Sequence, residues 1–292
     1  MKTLRFISTG LFAVLLSFSI AACGDDEEED EIPDDPTTEN TTQDPTQDPA
    51  PEKSKRLVRI IEEEYSPDGE LDDKNTYLLE YDSDGRVTSV IEPGIDGDED
   101  DIYFISYKGN SITCEELESN TVTFRLSDGK IIWGKEDFYS GYFSYFHDYS
   151  YNSSNCLVEA TSEISKATFT WSGDKLVEVY DNYFDYEDEY YSLKYDGKTC
   201  KGYNPVIVSL FGYQIMCEAN ETVWAVTPAQ LGLRTNQLPT SMIDNWAVSK
   251  FTYELDDDGY LTKCIRVIEG EYEGEYDEYE EKWTEIYKFT WE

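Results

Sequence analysis

Residues 77–91 read YLLEY-DSDG-RVTSVI: an alternating strand, a turn of Asp, Ser and Gly, and a second alternating strand. Period-two alternation on both sides of an Asp-Gly turn is the strongest short-range signal for a β-hairpin. Similar strands, each followed by a polar turn, occupy 102–107, 122–126, 147–151, 168–171, 191–195 and 251–255, and 283–291 closes the chain. The turns recur at intervals of about 18 to 26 residues, which leaves room for two strands in each interval.

This repetition predicts an all-β domain. Strands that are neighbours in sequence are usually neighbours in a sheet. We therefore expect an antiparallel β-meander of serial hairpins that forms a closed barrel or a strongly curled sheet.

The hairpin pattern lapses between residues 203 and 246. One short helical turn is predicted near 227–232, with Thr227 as N-cap, Pro228 at the first helical position and Gly232 at the end. Residues 236–239, Asn-Gln-Leu-Pro, are predicted to form a loop. Helix is otherwise expected to be scarce.

The chain begins with an apolar leader that ends in Ala21-Ala22-Cys23. Lys2 and Arg5 precede an apolar stretch of about 15 residues, which is shorter than the roughly 20 residues of a membrane span. The pattern is typical of a secretory signal, and a cysteine after small residues is typical of a lipoprotein signal. We predict that 1–22 are a lipoprotein signal peptide and that Cys23 is lipidated. The alternative is a signal-anchor helix with an incidental cysteine.

Residues 23–55 predict an acidic, disordered stalk. An uninterrupted acid run occupies 25–31, and the following segment is rich in Pro, Thr, Asp and Gln, with Thr-Gln-Asp-Pro twice in tandem. Such a composition lacks the apolar residues needed for a core. The acid run directly after the cysteine also resembles the export signature of surface lipoproteins in some Gram-negative anaerobes. We therefore predict a protein anchored by lipid to the outer membrane and exposed at the cell surface. The alternative for the acid run is a solvated spacer.

Residues 56–292 remain as a single domain, and its charge limits its partners. The whole chain has 63 acidic and 23 basic residues, a net charge of −40 at pH 7. Such a surface repels phosphate backbones, so nucleic acid is not expected as a partner. It also repels anionic lipid head groups, which leaves the lipid on Cys23 as the expected attachment to the membrane.

No catalytic motif stands out. His147 is the only histidine and precedes Asp148, but a catalytic triad also needs a nucleophile placed in space, so a hydrogen-bonded, half-buried strand histidine is the favoured interpretation. Carboxylate pairs for glycoside hydrolysis carry no information in so acidic a chain. The five cysteines beyond Cys23 form no Cys-x-x-Cys pair and are expected to be small buried side chains, with at most one disulfide.

Calcium is the better chemical candidate, although no cofactor is required by the pattern. Asp82 and Asp84, and likewise Asp256 and Asp258, copy the first half of an EF-hand loop. The twelfth position of that loop needs a bidentate Glu but is isoleucine in both segments, so both are predicted first as hairpin turns. Weak Ca²⁺ binding at these four aspartates is the alternative.

Aromatic residues are the third chemical signal, with 24 Tyr, 6 Trp and 13 Phe. In 138–146 and 180–186 they alternate so that rings lie on both faces of a strand. Tyr142, Tyr145, Tyr183 and Tyr186 are therefore candidates for stacking on a ligand, since tyrosine rings beside carboxylates suit glycan or protein recognition. The alternative is that these rings fill a core that is poor in aliphatic side chains.

At this point the chain resembles a family, the uncharacterised bacterial lipoproteins called "domain of unknown function 4595". The resemblance rests on the cysteine of the leader, on phrases such as 81–87 and 171–177, and on Tyr203-Asn-Pro205 and Leu238-Pro239. It covers residues 56–292 and implies a porin-like fold, a large antiparallel barrel or strongly curled sheet. The family carries no known activity, so no catalytic residue follows from it.

We expect the barrel to be soluble rather than to cross the membrane. Glu285 interrupts the aromatic face of 283–291, and Arg266 interrupts the face of Cys264 and Ile268. A charge facing mid-bilayer lipid costs about 2–4 kcal/mol. The predicted function is therefore that of a non-catalytic binding or envelope-associated domain, with a glycan or an outer-membrane protein as the partner. The alternative is a glycan-acting or calcium-dependent enzyme.

Overall fold

The chain forms a closed barrel of sixteen antiparallel strands. The structure is a computed structural model that describes residues 54–94, 99–116, 120–138, 143–183, 188–215, 224, 228–273 and 278–292. The first eight strands are Leu57–Tyr65 (β1), Leu71–Tyr81 (β2), Val87–Glu92 (β3), Asp101–Lys108 (β4), Ser111–Glu116 (β5), Thr121–Ser127 (β6), Lys130–Phe138 (β7) and Phe143–Tyr151 (β8). The others are Leu157–Thr161 (β9), Ser165–Ser172 (β10), Lys175–Tyr183 (β11), Glu189–Thr199 (β12), Gln237–Ile243 (β13), Ala247–Leu255 (β14), Leu261–Glu273 (β15) and Glu278–Trp291 (β16).

The predicted meander is confirmed, and it closes because β1 pairs with β16. Each other strand pairs with its neighbours in sequence. The tight turns depend on backbone that only glycine adopts readily: Gly85 and Gly259 have φ of 82° and 89°. All the strand segments predicted from the hairpin pattern lie within these strands.

The barrel has two different ends. Because successive strands run in opposite directions, successive turns lie at alternate ends. The turns 82–86 and 256–260 lie at one end, together with residues 54–56 and the C-terminal Glu292. We call this the plugged end. The turns 66–70, 162–164 and 244–246 lie at the other, which we call the distal end.

The interior is apolar near the plugged end. The odd-numbered strands start there with buried aliphatic side chains, such as Leu57, Ile131, Leu157, Leu176 and Leu261, all at most 1% exposed. A helix, Pro205–Ile215 (α1), fills the space between them. Its consecutive residues 206–208 are all buried, so every side of the helix contacts the barrel wall or core.

Helix α1 was not predicted, although helix is scarce among the described residues, as expected. Its sequence is apolar all round and rich in β-branched residues, so it has no amphipathic period to detect. Only its start is marked: the Asn204 side-chain oxygen accepts a hydrogen bond from the Val206 N–H at 3.1 Å, and Pro205 follows the cap. The interior of the barrel stabilises a helix that the local pattern does not favour.

A correction concerns residues 236–239, which were predicted as a loop. Strand β13 begins at Gln237 and includes Pro239, which pairs with Tyr195 where the register shifts. Pro239 has no N–H to donate, but its carbonyl oxygen accepts a hydrogen bond from the Tyr253 hydroxyl at 2.7 Å. The strand therefore tolerates a proline that usually indicates a loop.

The short helical turn predicted at 227–232 is present as Pro228–Leu231 (α2). Gly232 ends it with a φ of 69°, and a Cβ there would lie 2.6 Å from the Leu157 nitrogen. The predicted N-cap, Thr227, lies outside the described residues. No helix among the described residues is long and apolar enough to cross a membrane.

The compact unit of the barrel spans Lys53–Glu292. The predicted signal peptide at 1–22, the lipidation of Cys23 and the stalk at 23–55 lie almost entirely outside the described residues and stay predictions. Among the cysteines that are described, Cys114, Cys200 and Cys264 are buried, and none of them forms a disulfide. Burial raises the pKa of the Cys114 thiol to about 12, so it behaves as a small apolar side chain.

Candidate binding site at the distal end

On several strands the inward side chains change from apolar to acidic toward the distal end. Strand β1 begins with Leu57 and Ile60 facing inward and continues with Glu62 and Glu64 on the same face. In β11 the inward residue Val179 is followed by Asp181, and both are fully buried. The distal half of the interior is therefore more polar than the other half, although buried apolar side chains such as Met242 also lie there.

Arg266 and Glu285 form the central ion pair of this polar half. They are register partners on β15 and β16, and one guanidinium nitrogen, Nη1, donates to both carboxylate oxygens at 3.2 and 3.0 Å. The Tyr287 hydroxyl donates to the same carboxylate at 2.5 Å. In the sequence both charges appeared as interruptions of apolar faces, and the register of the strands makes each the partner of the other.

A small cavity of about 140 Å³ lies beside this pair, lined by Glu62, Glu64, Asp73 and Glu285 among others. Burial, together with the negative charge of Glu285, raises the pKa of the Glu64 carboxyl. The acids here therefore repel each other, and Arg266 compensates for only part of that repulsion.

His147 faces inward on β8 and is 2% exposed, so it is more deeply buried than the sequence predicted. Its Nε2 lies 2.9 Å from the Glu136 carboxylate. The neighbouring Tyr149 stacks near the imidazole, and its hydroxyl donates to the Ile215 carbonyl at the end of α1. A histidine enclosed in this way is closed to a substrate from solution, and the link between the wall and the helix is made by Tyr149.

The aspartates predicted as calcium ligands lie in two separate turns of the plugged end, and each turn binds a cation of the protein itself. The Asp82 carboxylate lies 2.7 Å from the Arg86 guanidinium. Backbone N–H groups and this guanidinium hold the pKa of Asp82 below its usual range. Asp84 lies 3.4 Å from the same guanidinium. Within the ranges that the structure describes, no three acidic, histidine or cysteine side chains are grouped as metal ligands.

The second acidic turn binds the segment that leads into β1. The Lys55 ammonium lies 2.9 Å from Asp256 and 2.6 Å from Asp258. Its hydrogen bond holds the pKa of Asp256 below the usual range. Arg56 extends over the other turn, where its guanidinium stacks on the Tyr81 ring with 5.5 Å to the centroid. Both turns therefore fasten residues 55–56 to the barrel.

Of the predicted stacking tyrosines, only Tyr145 can be placed by its side chain. It is half-buried on the inner face of β8, with its ring edge-on to Phe138 at 5.9 Å, so it contributes to the polar half of the interior. Tyr183 ends β11, and its side chain lies outside the described residues, as do Tyr142 and Tyr186. Their role in stacking on a ligand therefore stays a prediction.

A cluster of exposed aromatic side chains lies at the distal end, on the outer face of β11 to β14. Trp246 is 66% exposed, Tyr190 is 40% exposed and Tyr180 is 38% exposed. Tyr180 and Tyr190 are direct register partners, and the exposed Ile243 and Val248 are register partners beside Trp246. We call Tyr180, Tyr190 and Trp246 the aromatic rim.

The turn that carries Trp246 is held by hydrogen bonds. Asp244 accepts from the backbone N–H groups of Trp246 and Ala247 at 2.9 and 2.7 Å. Asn245 bridges to the next strand, since it accepts from the Tyr190 N–H at 3.1 Å and donates to the Asp188 carbonyl at 2.6 Å. Trp246 is thereby fixed beside Tyr190, although they are 56 positions apart in numbering.

Carboxylates orient the tyrosines of the rim. The Tyr190 hydroxyl donates to Glu178 at 2.9 Å, and the Tyr180 hydroxyl donates to Asp188. These hydrogen bonds raise the pKa of both phenols. A cavity of about 270 Å³ opens beside the rim, lined by Trp246, Tyr190, Tyr191, Glu189 and Arg266 among others. This is slightly smaller than the roughly 300 Å³ at which small-ligand sites begin.

The sequence pointed to part of this site. Tyr180 begins the aromatic stretch 180–186 that predicted a ligand surface, but Tyr190 and Trp246 were missed. A signal for Trp246 was available, because Asp244-Asn245 is a turn sequence and a tryptophan directly after it lies at a loop tip. Its proximity to Tyr190 depends on the pairing of β12 with β13.

This architecture, a closed antiparallel barrel with an internal helix, defines the class of the fold, which is porin-like. A crystal structure described as a porin-like protein from Bacteroides uniformis matches 82% of this chain and 98% of its own, with a TM-score of 0.62 and 20% sequence identity. A second, from Bacteroides vulgatus, matches 81% and 98%, with a TM-score of 0.49 and 15% identity. No protein-family model matches the chain, and no curated protein matches it.

Proposed function

We propose that this protein is a lipid-anchored, non-catalytic binding protein of the bacterial cell surface. The lipid on Cys23 and the acidic stalk would attach the barrel to the outer membrane, and the distal end would carry the site for an envelope partner or a glycan. The barrel itself would stay outside the bilayer.

The observation that carries the proposal is the position at which the chain joins the barrel. The Arg56 N–H donates to the Glu292 carbonyl at 2.6 Å, and the Glu292 N–H donates to the Arg56 carbonyl at 2.9 Å. The segment that follows the stalk is therefore fastened at the plugged end. The aromatic rim lies at the opposite end, where a tethered barrel presents it to the medium.

The outer wall supports a soluble barrel. On β1, the outward Glu63 lies between Lys74 and Lys288, at 3.5 and 2.7 Å. On the other side of β16, Glu269 of β15 pairs with Lys250 and Lys282. Further outward pairs lie around the barrel, at Lys135–Asp137 and Lys166–Glu159. Charges on a lipid-facing wall are costly, whereas in water such pairs are ordinary surface features.

Two experiments test attachment and orientation. Cells grown with a labelled fatty acid should incorporate the label into the wild-type protein and not into a Cys23→Ala variant. Protease added to intact cells should remove the barrel of the wild type. Incorporation of the label into the Cys23→Ala variant would refute the proposed lipid anchor. Complete resistance of the barrel to protease on intact cells would refute the proposed exposure at the cell surface.

Absence of catalysis is tested separately. The purified protein should release no reducing sugar from a panel of polysaccharides, with or without added Ca²⁺. If the protein released sugar and a substitution of Glu64 or Glu285 abolished that release, the protein would be a glycan-acting enzyme and not a binding protein.

A further inference from the structure

The aromatic rim differs from most other partly exposed rings of the barrel in what covers it. Several other rings of the barrel have a lysine or arginine of the chain over them, such as Arg86 over Tyr107 at 4.9 Å and Arg125 over Trp133 at 4.3 Å, although the exposed Phe104 has none among the described residues. Within the described part of the chain, no such cation lies over Tyr180, Tyr190 or Trp246. These three rings are exposed, and no basic group of the described residues lies over their faces.

The carboxylates around the rim are also uncompensated. Glu178 and Asp188 hold the two tyrosine hydroxyls, and Glu189 and Asp244 line the adjoining cavity. Among the residues that the structure describes, no lysine or arginine forms an ion pair with any of these four. Arg266, the basic residue that lines the cavity, is paired with Glu285.

We propose that the aromatic rim binds a basic polypeptide segment, whose lysine or arginine side chains stack on its rings and pair with the surrounding carboxylates. Aromatic faces attract ammonium and guanidinium groups, and nearby carboxylates strengthen that attraction. The segment occupies the position that the chain's own Lys and Arg side chains occupy over several other rings. This inference rests on the proposed function, for which it names the ligand chemistry.

The rim is organised in advance for such a partner. The tyrosine hydroxyls are held by carboxylates, and Asn245 fixes the turn that carries Trp246, so little side-chain freedom is lost on binding. The exposed Ile243 and Val248 beside Trp246 extend the rim with apolar area, which suits the aliphatic stems of lysine and arginine. The net charge of −40 accelerates the encounter with a basic segment.

The test is calorimetric titration of the purified protein with a Lys-Gly repeat peptide, with a Gln-Gly repeat peptide as the neutral control. We expect saturable binding of the Lys-Gly peptide alone, weakened by added salt. Trp246→Ala should lower the affinity about two- to five-fold, the range of one exposed cation–π contact. Phe104→Ala, which removes an exposed ring on the outer face of β4, should leave the affinity unchanged.

A charge-matched pair of variants distinguishes binding at the aromatic rim from nonspecific attraction of the peptide to the acidic surface. Glu178→Gln should weaken binding, whereas Glu115→Gln, an exposed acid on β5, should not. Equal losses in the two variants, or no binding of the Lys-Gly peptide at low salt, would overturn the proposal. Binding of a neutral polysaccharide or of neutral lipid vesicles that depends on Trp246 would also overturn it, while leaving the anchored binding protein in place.

Discussion

The two ends of the barrel use the same residue types in opposite ways. At the plugged end, acidic turns meet Lys55 and Arg86, and the interior between them is packed with aliphatic side chains around α1. At the aromatic rim of the distal end, the carboxylates Glu178 and Asp188 hold exposed rings, and among the described residues neither forms an ion pair with a lysine or arginine. An acidic turn whose charge is balanced within the chain stabilises the fold, whereas an acidic rim without that balance is available to another molecule.

The largest effect is expected where α1 packs against the inner wall of the barrel. Phe211 is fully buried and lies edge-on to Tyr191 at 5.5 Å. Phe211→Ala should lower the free energy of unfolding by about 3–5 kcal/mol, because it leaves a cavity that the barrel wall cannot close. Urea denaturation measures this loss. The control, Leu210→Ala, removes a half-buried side chain that lines the distal cavity and should cost clearly less. Equal losses would mean that Phe211 is no more tightly packed than its half-buried neighbour.

A smaller effect is expected at the turn that fastens Lys55. Asp256→Ala removes one of the two carboxylates paired with Lys55 and two hydrogen bonds from the backbone of Asp258 and Tyr260. We expect a loss of about 1 kcal/mol, typical of a turn held by side-chain hydrogen bonds. Because the pKa of Asp256 is lowered in the folded state, its contribution should be present at neutral pH and lost as the pH falls through the folded pKa. Thermal unfolding of both proteins across this range measures it, and a loss that persists at low pH would contradict the ion pair.

A substitution of Glu64 tests the repulsion between acidic side chains in the interior, and here the expected effect is stabilisation. Its pKa is raised in the folded state, so ionisation at neutral pH opposes folding, and this penalty disappears once the carboxyl is protonated. Glu64→Gln should therefore stabilise the protein at neutral pH, on the order of half a kcal/mol. It should have no effect well below the ordinary glutamate pKa of 4.5. Melting temperatures of Glu115→Gln serve as the control, and destabilisation by Glu64→Gln at neutral pH would contradict the repulsion.

The smallest effect on stability is expected at the aromatic rim. Trp246 is mostly exposed, and its turn is held by the side chains of Asp244 and Asn245 rather than by its own ring. Trp246→Ala should change the free energy of unfolding by less than about 0.5 kcal/mol, as most surface substitutions do. If urea denaturation showed that the free energy of unfolding falls by more than about 2 kcal/mol, the Trp246 ring would be part of the core. The contrast between the two ends would then be lost.

The strands were predictable and the interior was not. Each hairpin signals itself locally, because alternation and Asp-Gly turns occur within about fifteen residues of each other. Helix α1 was missed because a helix buried on all sides has no polar face, and β13 was missed because Pro239 usually ends a strand. Of the candidate site, the sequence indicated Tyr180 through its aromatic stretch, but it gave no means of pairing it with Trp246.

The sequence by itself determined an acidic chain of serial hairpins and predicted a lipoprotein-type leader, because period-two alternation, turn residues and the cysteine after the leader are local properties. Only the tertiary structure decided that β1 meets β16, that Arg266 meets Glu285, and that Lys55 neutralises the turn at Asp256. These contacts join residues far apart in the chain, and their register depends on closure of the whole barrel. The same closure separates the balanced acids of the plugged end from the uncompensated acids around Tyr180, Tyr190 and Trp246.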